Sequence, residues 1–250
     1  MLEAVAKYYD SIAEQYADKY LKSEYYRVLY QKIGEVLDRY IRPGARVLDI
    51  GAGTGFWSVY MQSRGASVLA LDLSSQSLKA CRCGDRVAAD ASNLPARLRS
   101  FDVVTALGSV YNHLKRVGEA FRDVSRVLKR GGFFITDVDN AVCVDMLYEY
   151  FIFQGAGKFI EALKRGVVRG YWESADGEIP FNYYTYFYVK SALRRAGLEL
   201  VEARPIYLMP LLPTRLLQRR MRARFLEKLD VLKLLAPFAT TVIYVAKKPP

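Results

Sequence analysis

The stretch that decides the fold spans residues 47–55 and reads Val-Leu-Asp-Ile-Gly-Ala-Gly-Thr-Gly. Its first four residues predict a buried strand, and residues 56–64, which follow it, predict a helix. Glycine accepts the positive φ angles of a tight turn, and the free N–H groups at a helix N-terminus can bind a ligand. The stretch therefore predicts a nucleotide-binding loop between a strand and a helix.

The spacing of the glycines indicates which class of ligand the loop can bind. Gly51, Gly53 and Gly55 follow the pattern G-x-G-x-G, whereas dinucleotide sites that bind a pyrophosphate use G-x-G-x-x-G. A ligand without phosphates is therefore favoured. Asp49 places a carboxylate at the end of the first strand, and Asp72 ends a second predicted strand. Asp72 lies about twenty residues after the first glycine, where a ribose diol needs an acceptor.

Three further segments continue the alternation of strands and helices. A short apolar run ends at Asp90, a fourth strand begins at Phe101, and the pair Gly131-Gly132 predicts a turn before a fifth strand at residues 133–137. Strands that alternate with helices are typical of a parallel sheet with helices on both faces. The sequence therefore predicts an α/β fold.

This order of segments resembles the class I S-adenosylmethionine-dependent methyltransferases, especially the small-molecule type that includes quinone-biosynthesis enzymes, over about residues 5–138. The resemblance implies a doubly wound Rossmann-like sheet of seven strands in the order 3-2-1-4-5-7-6, with the last strand antiparallel. It also implies S-adenosylmethionine as cofactor and S-adenosylhomocysteine as product. The implied cofactor contacts are Asp49, the loop residues Gly51, Ala52, Gly53 and Gly55, the ribose-side residues Asp72 and Leu73, the adenine-side residues Asp90, Ala91 and Ser92, and the methionine-side residues Leu107, Gly108 and Ser109.

Each of these residues also has a purely structural interpretation, which the sequence leaves open. The three glycines could turn the chain with nothing bound to them. Asp72 and Asp90 could cap helices, because aspartate is favoured just before a helix begins.

The chain is predicted to form a single methyltransferase domain over residues 1–250, with substrate-facing additions around a cofactor core. By the resemblance, the N-terminal helices fold over the cofactor as a lid, and Tyr16 is the candidate lid contact. Residues 140–188 are predicted to form a cap over the acceptor, and they contain 13 aromatic residues. A D-G turn predicts a hairpin of residues 167–173 and 178–188 within this cap. The predicted parts are the lid (1–40), the cofactor core (41–139), the cap (140–188), and the closing helix and strand pair (189–250) with a basic insertion (205–239).

The loop after the fourth strand carries the candidate catalytic residues. His113 is the one histidine of the chain, and it could act as a base for a hydroxyl or acidic carbon acceptor. Tyr111 and Asn112 share its loop and could orient an acceptor. The alternative is a histidine that only hydrogen-bonds the neighbouring loop. Methyl transfer itself needs an aligned nucleophile for in-line displacement, and the aromatic cap favours a small, planar or lipid-like acceptor.

The chain of 250 residues is 52% hydrophobic and carries a net charge of +11. Six arginines and no acid lie within residues 204–224, where they could contact an anionic substrate, a membrane surface or nucleic acid, or form a solvated helix face. No RNA-binding motif accompanies them, so a peripheral membrane contact or an anionic acceptor is favoured over nucleic acid. An RNA or protein methyltransferase is the first alternative function. A nucleotide-dependent oxidoreductase is the second.

The few cysteines and the single histidine bear on metals and redox chemistry. Cys81 and Cys83 are too close in sequence for an ordinary bridge, and Cys143 is the third cysteine. With one histidine, a structural zinc site has too few ligands, so we expect no metal.

No apolar run approaches membrane-spanning length and the N-terminus lacks a secretory pattern, which predicts a cytoplasmic protein. The sequence does not indicate the oligomeric state.

Overall fold

A computed structural model of the chain describes residues 5–11, 24–94, 101–114, 116–174, 177–206 and 233–250. Two predicted features lie outside these ranges: the lid contact Tyr16 and the arginines at positions 215–224. Within the described ranges, no helix combines the length and the apolar character that a bilayer crossing requires. The same residues form no group of three or more histidine, cysteine, aspartate or glutamate side chains that could hold a metal ion.

A seven-stranded sheet forms the centre of the fold in the order β3-β2-β1-β4-β5-β9-β8. The first five strands run parallel to one another, and β9 is antiparallel to both of its neighbours. Strands β6 and β7 form a separate hairpin, so β8 and β9 are the sixth and seventh strands of the main sheet. The predicted order 3-2-1-4-5-7-6 is therefore confirmed. The strands are β1 (Arg46–Ile50), β2 (Ser67–Asp72), β3 (Asp85–Ala88), β4 (Phe101–Ala106), β5 (Leu128–Asp139), β6 (Val167–Ser174), β7 (Gly177–Tyr184), β8 (Glu199–Ile206) and β9 (Thr241–Lys247).

Helices cover both faces of the sheet. Side chains alternate along a strand, so Leu48 and Ile50 join the apolar cluster that contains α5 and α8, while Val47 joins the cluster that contains α2 and α3. Burial on both faces explains the nearly continuous apolar run of β1. The helices are α1 (residues 5–11), α2 (Glu24–Tyr40), α3 (Phe56–Gln62), α4 (Ser75–Ala80), α5 (Val117–Val127), α6 (Val144–Glu149), α7 (Ala156–Arg165) and α8 (Tyr186–Arg195).

The end of the cap hairpin differs from the prediction. Strand β7 ends at Tyr184 and α8 begins at Tyr186, whereas the aromatic run had predicted a strand as far as residue 188. Thr185 is the N-cap of α8, and its hydroxyl accepts a hydrogen bond from the backbone N–H of Tyr188 at 3.3 Å. This cap satisfies an N–H group that the first turn of a helix leaves free. It therefore starts the helix within residues that have a high strand propensity.

Strand β5 begins earlier than predicted. The pairing of β4 with β5 joins Phe101 to Leu128 and then shifts, so that Val103 pairs with Phe133. The extra residues form a bulge, in which Gly131 adopts a φ of 78°. The Gly131-Gly132 pair is thus an irregularity inside the strand and does not precede it.

The prediction for Cys81 and Cys83 is also wrong, because the structure joins the two in a disulfide bond. Their Cα atoms lie 5.3 Å apart, which is within the range that a disulfide spans. Cys143 is buried with a free thiol.

Candidate functional site

A cleft opens at the carboxyl ends of the parallel strands, where ligands of open α/β sheets bind. It encloses about 1260 Å³, part of it open to solvent. The loops after β1 to β4 form its floor, and α1 contributes to its wall. Of the predicted site residues, those that line the cleft are Asp49, Gly51, Ala52, Gly53, Asp72, Leu73, Asp90, Ala91, Leu107, Gly108 and His113.

The glycine loop has the backbone geometry that its sequence predicts. Gly51, Gly53 and Gly55 adopt φ angles of 69°, 55° and 86°, in the left-handed region that side chains other than glycine rarely occupy. A Cβ atom on Gly51 would overlap the side chain of Val110, and a Cβ atom on Gly55 would overlap Sγ of Cys81. Gly53 has nothing within 4 Å of such an atom. Gly51 and Gly55 therefore permit close packing, and Gly53 leaves space above the loop.

Asp72 fixes the loop from the neighbouring strand. Its Oδ2 accepts a hydrogen bond from the backbone N–H of Gly53 at 2.7 Å, and its Oδ1 accepts one from the N–H of Ser74 at 2.8 Å. Burial raises the pKa of this carboxyl group, while the two backbone donors act in the opposite direction. A carboxylate has about four lone-pair sites. Asp72 can therefore hold the loop and also accept from a ligand hydroxyl.

Asp49 has a different role from that of Asp72. Its side chain is 1% exposed and accepts hydrogen bonds from the hydroxyls of Ser58 at 2.6 Å and Thr105 at 2.7 Å. Burial raises its pKa to about 6, although both hydroxyl donors favour the charged form. Asp49 thus ties β1 to α3 and β4 beneath the glycine loop, and it positions the cleft floor.

Asp90 closes a tight turn at the third strand. Its Oδ1 accepts from the N–H of Ser92 at 2.7 Å, and its Oδ2 accepts from the Ser92 hydroxyl at 2.7 Å. Asp90 and Ala91 line the cleft, whereas Ser92 is not among its lining residues. The turn explains why an aspartate and a serine occur at this spacing, and it leaves Asp90 at the cleft wall.

A buried carboxylate shapes the loop that follows β4. Asp137, at the end of β5, accepts from the N–H groups of Gly108 at 2.7 Å and Ser109 at 3.0 Å. Burial and the neighbouring charge of Asp139 raise its pKa to about 7. Ser109 adopts a φ of 59°, a conformation that costs free energy and persists where its surroundings fix it. Asp137 supplies this constraint, and no motif in the sequence had indicated its role.

His113 lies at the junction of the cleft, the lid helix and the cap. The side chain is 5% exposed; Nε2 lies 3.0 Å from the hydroxyl of Tyr9, and Nδ1 lies 3.0 Å from the carbonyl oxygen of Pro180. Burial lowers the pKa of the imidazole, and the contact with Pro180 partly offsets this effect. Tyr9 also lines the cleft. The sequence does not distinguish Tyr9 as a site residue, because the N-terminal segment contains several other tyrosines.

The structure corrects the interpretation of Tyr111. Its side chain is fully buried, and its ring packs edge-on against Phe121 and Phe134 in the core. Among the described residues it does not line the cleft, so it cannot orient an acceptor there. Asn112 is also buried, and it binds the cap: its Nδ2 donates to the carbonyl oxygen of Asn182 at 2.6 Å.

An aromatic wall completes the cleft on the side of α2. Tyr30, Phe56 and Trp57 line it, with ring centroids 4.9 to 5.2 Å apart. These three residues were not among the predicted site residues. Phe56 and Trp57 directly follow the glycine loop, and this position was the available signal.

The lid helix α1 is anchored to the cleft at a second point. Asp10 Oδ1 accepts hydrogen bonds from the hydroxyl of Ser74 and from the backbone N–H of Gln76, the latter at 3.3 Å. Ser74 is the N-cap of α4 and lies next to the ribose-side residues. Residues 5–11 therefore lie against the cleft through Asp10, and the role of the N-terminal segment as a lid stays a prediction.

The arrangement suits a nucleoside attached to a flexible, zwitterionic or cationic group. Its lining includes the Asp72 and Asp90 carboxylates, a glycine backbone, aromatic rings and a buried imidazole. Carboxylates are the strong acceptors for ligand hydroxyl and amino groups. Aromatic faces attract cations.

The chain is similar in sequence to known methyltransferases. Residues 48–136 match a family model described as a methyltransferase domain. An uncharacterized protein of Methanocaldococcus jannaschii is 30% identical over 204 residues, which cover 79% of this chain and 77% of that protein. Demethylmenaquinone methyltransferase of Mycobacterium sp. (strain KMS) is 39% identical over 94 residues, which cover 37% of this chain and only 40% of the enzyme.

A solved structure extends the likeness to the whole chain. The 1,6-didemethyltoxoflavin-N1-methyltransferase of Burkholderia thailandensis was solved with bound 1,6-didemethyltoxoflavin and S-adenosylhomocysteine. It superimposes with a TM-score of 0.61 at 16% identity, over 100% of this chain and 89% of that one. This likeness concerns the fold.

Proposed function

We propose that the chain is an S-adenosylmethionine-dependent methyltransferase, because residues 48–136 match a methyltransferase domain, and that its cleft binds S-adenosylmethionine and catalyses methyl transfer to a small, planar or lipid-like acceptor. The observation that carries the proposal is the convergence of the glycine loop, Asp72 and Asp90 on one cleft. These are the residues to which the sequence assigned the cofactor.

Each part of the cleft has a role toward the cofactor. Asp72 accepts from the ribose hydroxyls, with Leu73 beside it, and Asp90 accepts from the adenine amino group, with Ala91 beside the ring. The backbone of residues 51–55 lies under the ribose and the methionine, and Leu107, Gly108 and Ser109 form the methionine side.

When bound, S-adenosylmethionine supplies a methyl group on a positively charged sulfur, which is electrophilic without further activation. The protein therefore mainly aligns the acceptor, an effect that reaches about 7–11 kcal/mol in well-oriented cases. We place the acceptor beside His113, which lines the cleft and can take up a proton. The cap hairpin contacts this part of the chain through the bonds of Pro180 and Asn182 with residues 112–113.

The acceptor class rests on the aromatic residues around the cleft and in the cap. Phe181 packs edge-on against His113, with centroids 5.1 Å apart, and Tyr9 packs edge-on on the ring as well. Two similar proteins carry names of ring compounds, demethylmenaquinone and 1,6-didemethyltoxoflavin. A planar ring would fit among these aromatic side chains.

Methyl transfer can be measured directly. We expect purified protein, given S-adenosylmethionine with a labelled methyl group, to label small hydroxylated ring compounds such as reduced naphthoquinones. Total RNA and a protein extract should stay unlabelled under the same conditions. Labelling of RNA with a steep salt dependence, and of no small molecule, would instead support the RNA methyltransferase alternative.

Two other expectations remain proposals. A peripheral membrane contact would fit a lipid-like acceptor, but five of the six arginines that suggested it lie outside the described residues, and the sixth, Arg204, forms an ion pair with Glu35. A cytoplasmic location likewise stays a prediction. The oxidoreductase alternative is disfavoured by the match of residues 48–136 to a methyltransferase domain.

A further inference from the structure

The hydrogen bonds of His113 define which ring nitrogen carries its proton. Nδ1 lies 3.0 Å from the carbonyl oxygen of Pro180, and a carbonyl oxygen can only accept. Nδ1 therefore donates, and in the neutral imidazole Nε2 has to be the acceptor. The partner of Nε2 at 3.0 Å is the hydroxyl of Tyr9, so the phenol donates to the imidazole.

This pair is held from three elements of the fold. Tyr9 comes from the lid helix α1, His113 from the loop after β4, and Pro180 from the cap strand β7. The cap is fixed in register by two reciprocal bonds: Asn112 donates to the Asn182 carbonyl at 2.6 Å, and Asn182 donates to the Asn112 carbonyl at 3.2 Å. The imidazole is therefore fixed in its tautomer when the lid and the cap are in place.

Both members of the pair line the cleft. A phenol oxygen accepts hydrogen bonds as well as donating them. Since Nε2 of His113 is already bonded to Tyr9, an acceptor reaches the imidazole through the tyrosine. We propose that Tyr9 is a catalytic residue that relays a proton from a weakly acidic hydroxyl of the acceptor to His113. This inference rests on the proposed methyltransferase function and names its acceptor class as an aromatic or enolic hydroxyl.

The proposed step balances. The acceptor oxygen forms a bond to the methyl carbon while the bond from that carbon to sulfur breaks, with its electron pair going to sulfur. The acceptor proton passes to the oxygen of Tyr9, and the Tyr9 proton passes to Nε2 of His113. The resulting imidazolium keeps its Nδ1–H bond to Pro180 and releases one proton to water after the product leaves. Burial lowers the pKa of His113, which keeps the resting imidazole neutral and makes this release favourable.

The tautomer can be tested without knowledge of the natural acceptor. Because His113 is the one histidine of the chain, ¹⁵N NMR of histidine-labelled protein gives one pair of ring resonances. In the complex with S-adenosylhomocysteine we expect a protonated Nδ1 and an unprotonated Nε2. In Tyr9→Phe the Nε2 resonance should shift while the Nδ1 resonance stays. A protonated Nε2 in the wild-type complex would overturn the relay.

Transfer to two probe phenols tests the catalytic role. 1-Naphthol is un-ionised at pH 7.5, whereas 4-nitrophenol is largely ionised there and needs no base. Tyr9→Phe and His113→Gln should each lower kcat for 1-naphthol by about 10²–10⁴, the range of general-base effects. The kcat of the double variant for 1-naphthol should be no lower than that of the less active single variant. Transfer to 4-nitrophenol, and the KM for S-adenosylmethionine, should change little.

Tyr8→Phe is the matched control, because Tyr8 neighbours Tyr9 on α1 and, among the described residues, does not line the cleft. It should leave both probe reactions unchanged. Equal losses on both probes in Tyr9→Phe would overturn the relay and indicate a role in packing. Binding of S-adenosylhomocysteine by wild type without transfer to either probe would overturn the hydroxyl acceptor class alone. Absence of such binding would contradict the proposed function itself.

Discussion

Gly51→Ala is expected to abolish cofactor binding and to destabilise the fold. The new Cβ atom would overlap Val110, and the backbone there has a φ of 69°. A left-handed conformation costs a residue with a side chain about 1–2 kcal/mol, and overpacking adds about 1–3 kcal/mol. This loss is large against a typical unfolding free energy of about 5–15 kcal/mol. Isothermal calorimetry measures the loss of cofactor binding, and denaturant titration measures the loss of unfolding free energy.

Two other glycines serve as matched controls. Gly53→Ala has a positive φ but no atom within 4 Å of the new Cβ, so it should show the backbone cost alone. Gly118→Ala lies in α5 with no positive φ and open space around it, and it should be neutral or stabilise by up to about 1 kcal/mol. If Gly51→Ala resembled Gly118→Ala in stability and in affinity, the close packing of the glycine loop would not matter for the cleft.

Asp72→Ala should weaken binding of S-adenosylhomocysteine by about 2–3 kcal/mol, which is about 30- to 150-fold in Kd. The substitution removes the charged acceptor for the ribose hydroxyls. It also leaves the N–H of Gly53, now 2.7 Å from the carboxylate, without its partner. Isothermal calorimetry on the folded variant measures the change.

Asp85→Ala is the control for this loss of charge. Asp85 begins the edge strand β3 and is exposed, so its removal should leave the affinity unchanged. Asp72→Asn should fall between wild type and Asp72→Ala, because the amide keeps one oxygen acceptor. An unchanged Kd in a folded Asp72→Ala would reduce Asp72 to a structural residue that holds the turn into α4.

The sheet and the cofactor loop were predictable because short-range rules determine them. Leu48 and Ile50 lie on one face of β1 and Val47 on the other, and both faces are buried. Gly51 and Gly55 adopt the positive φ that their spacing suggested. These features depend on residues close together in the sequence.

The remaining features depend on contacts between distant residues. Asp137 is 28 positions from Ser109, and Tyr9 is 104 positions from His113. No local pattern links such pairs. Tyr111 was misinterpreted for the same reason: its loop borders the cleft, but its ring points into the core against Phe121. The start of α8 was missed because the hydroxyl of Thr185 outweighs the strand propensity of the tyrosines after it.

The central claim is that this cleft is a site for S-adenosylmethionine. The most direct measurement is a calorimetric titration of the wild-type protein with S-adenosylhomocysteine and, separately, with NAD. We predict one site for S-adenosylhomocysteine with a Kd in the micromolar range, about −7 to −8 kcal/mol, and far weaker binding of NAD. Tighter binding of NAD, or no binding of S-adenosylhomocysteine to the folded protein, would contradict the account.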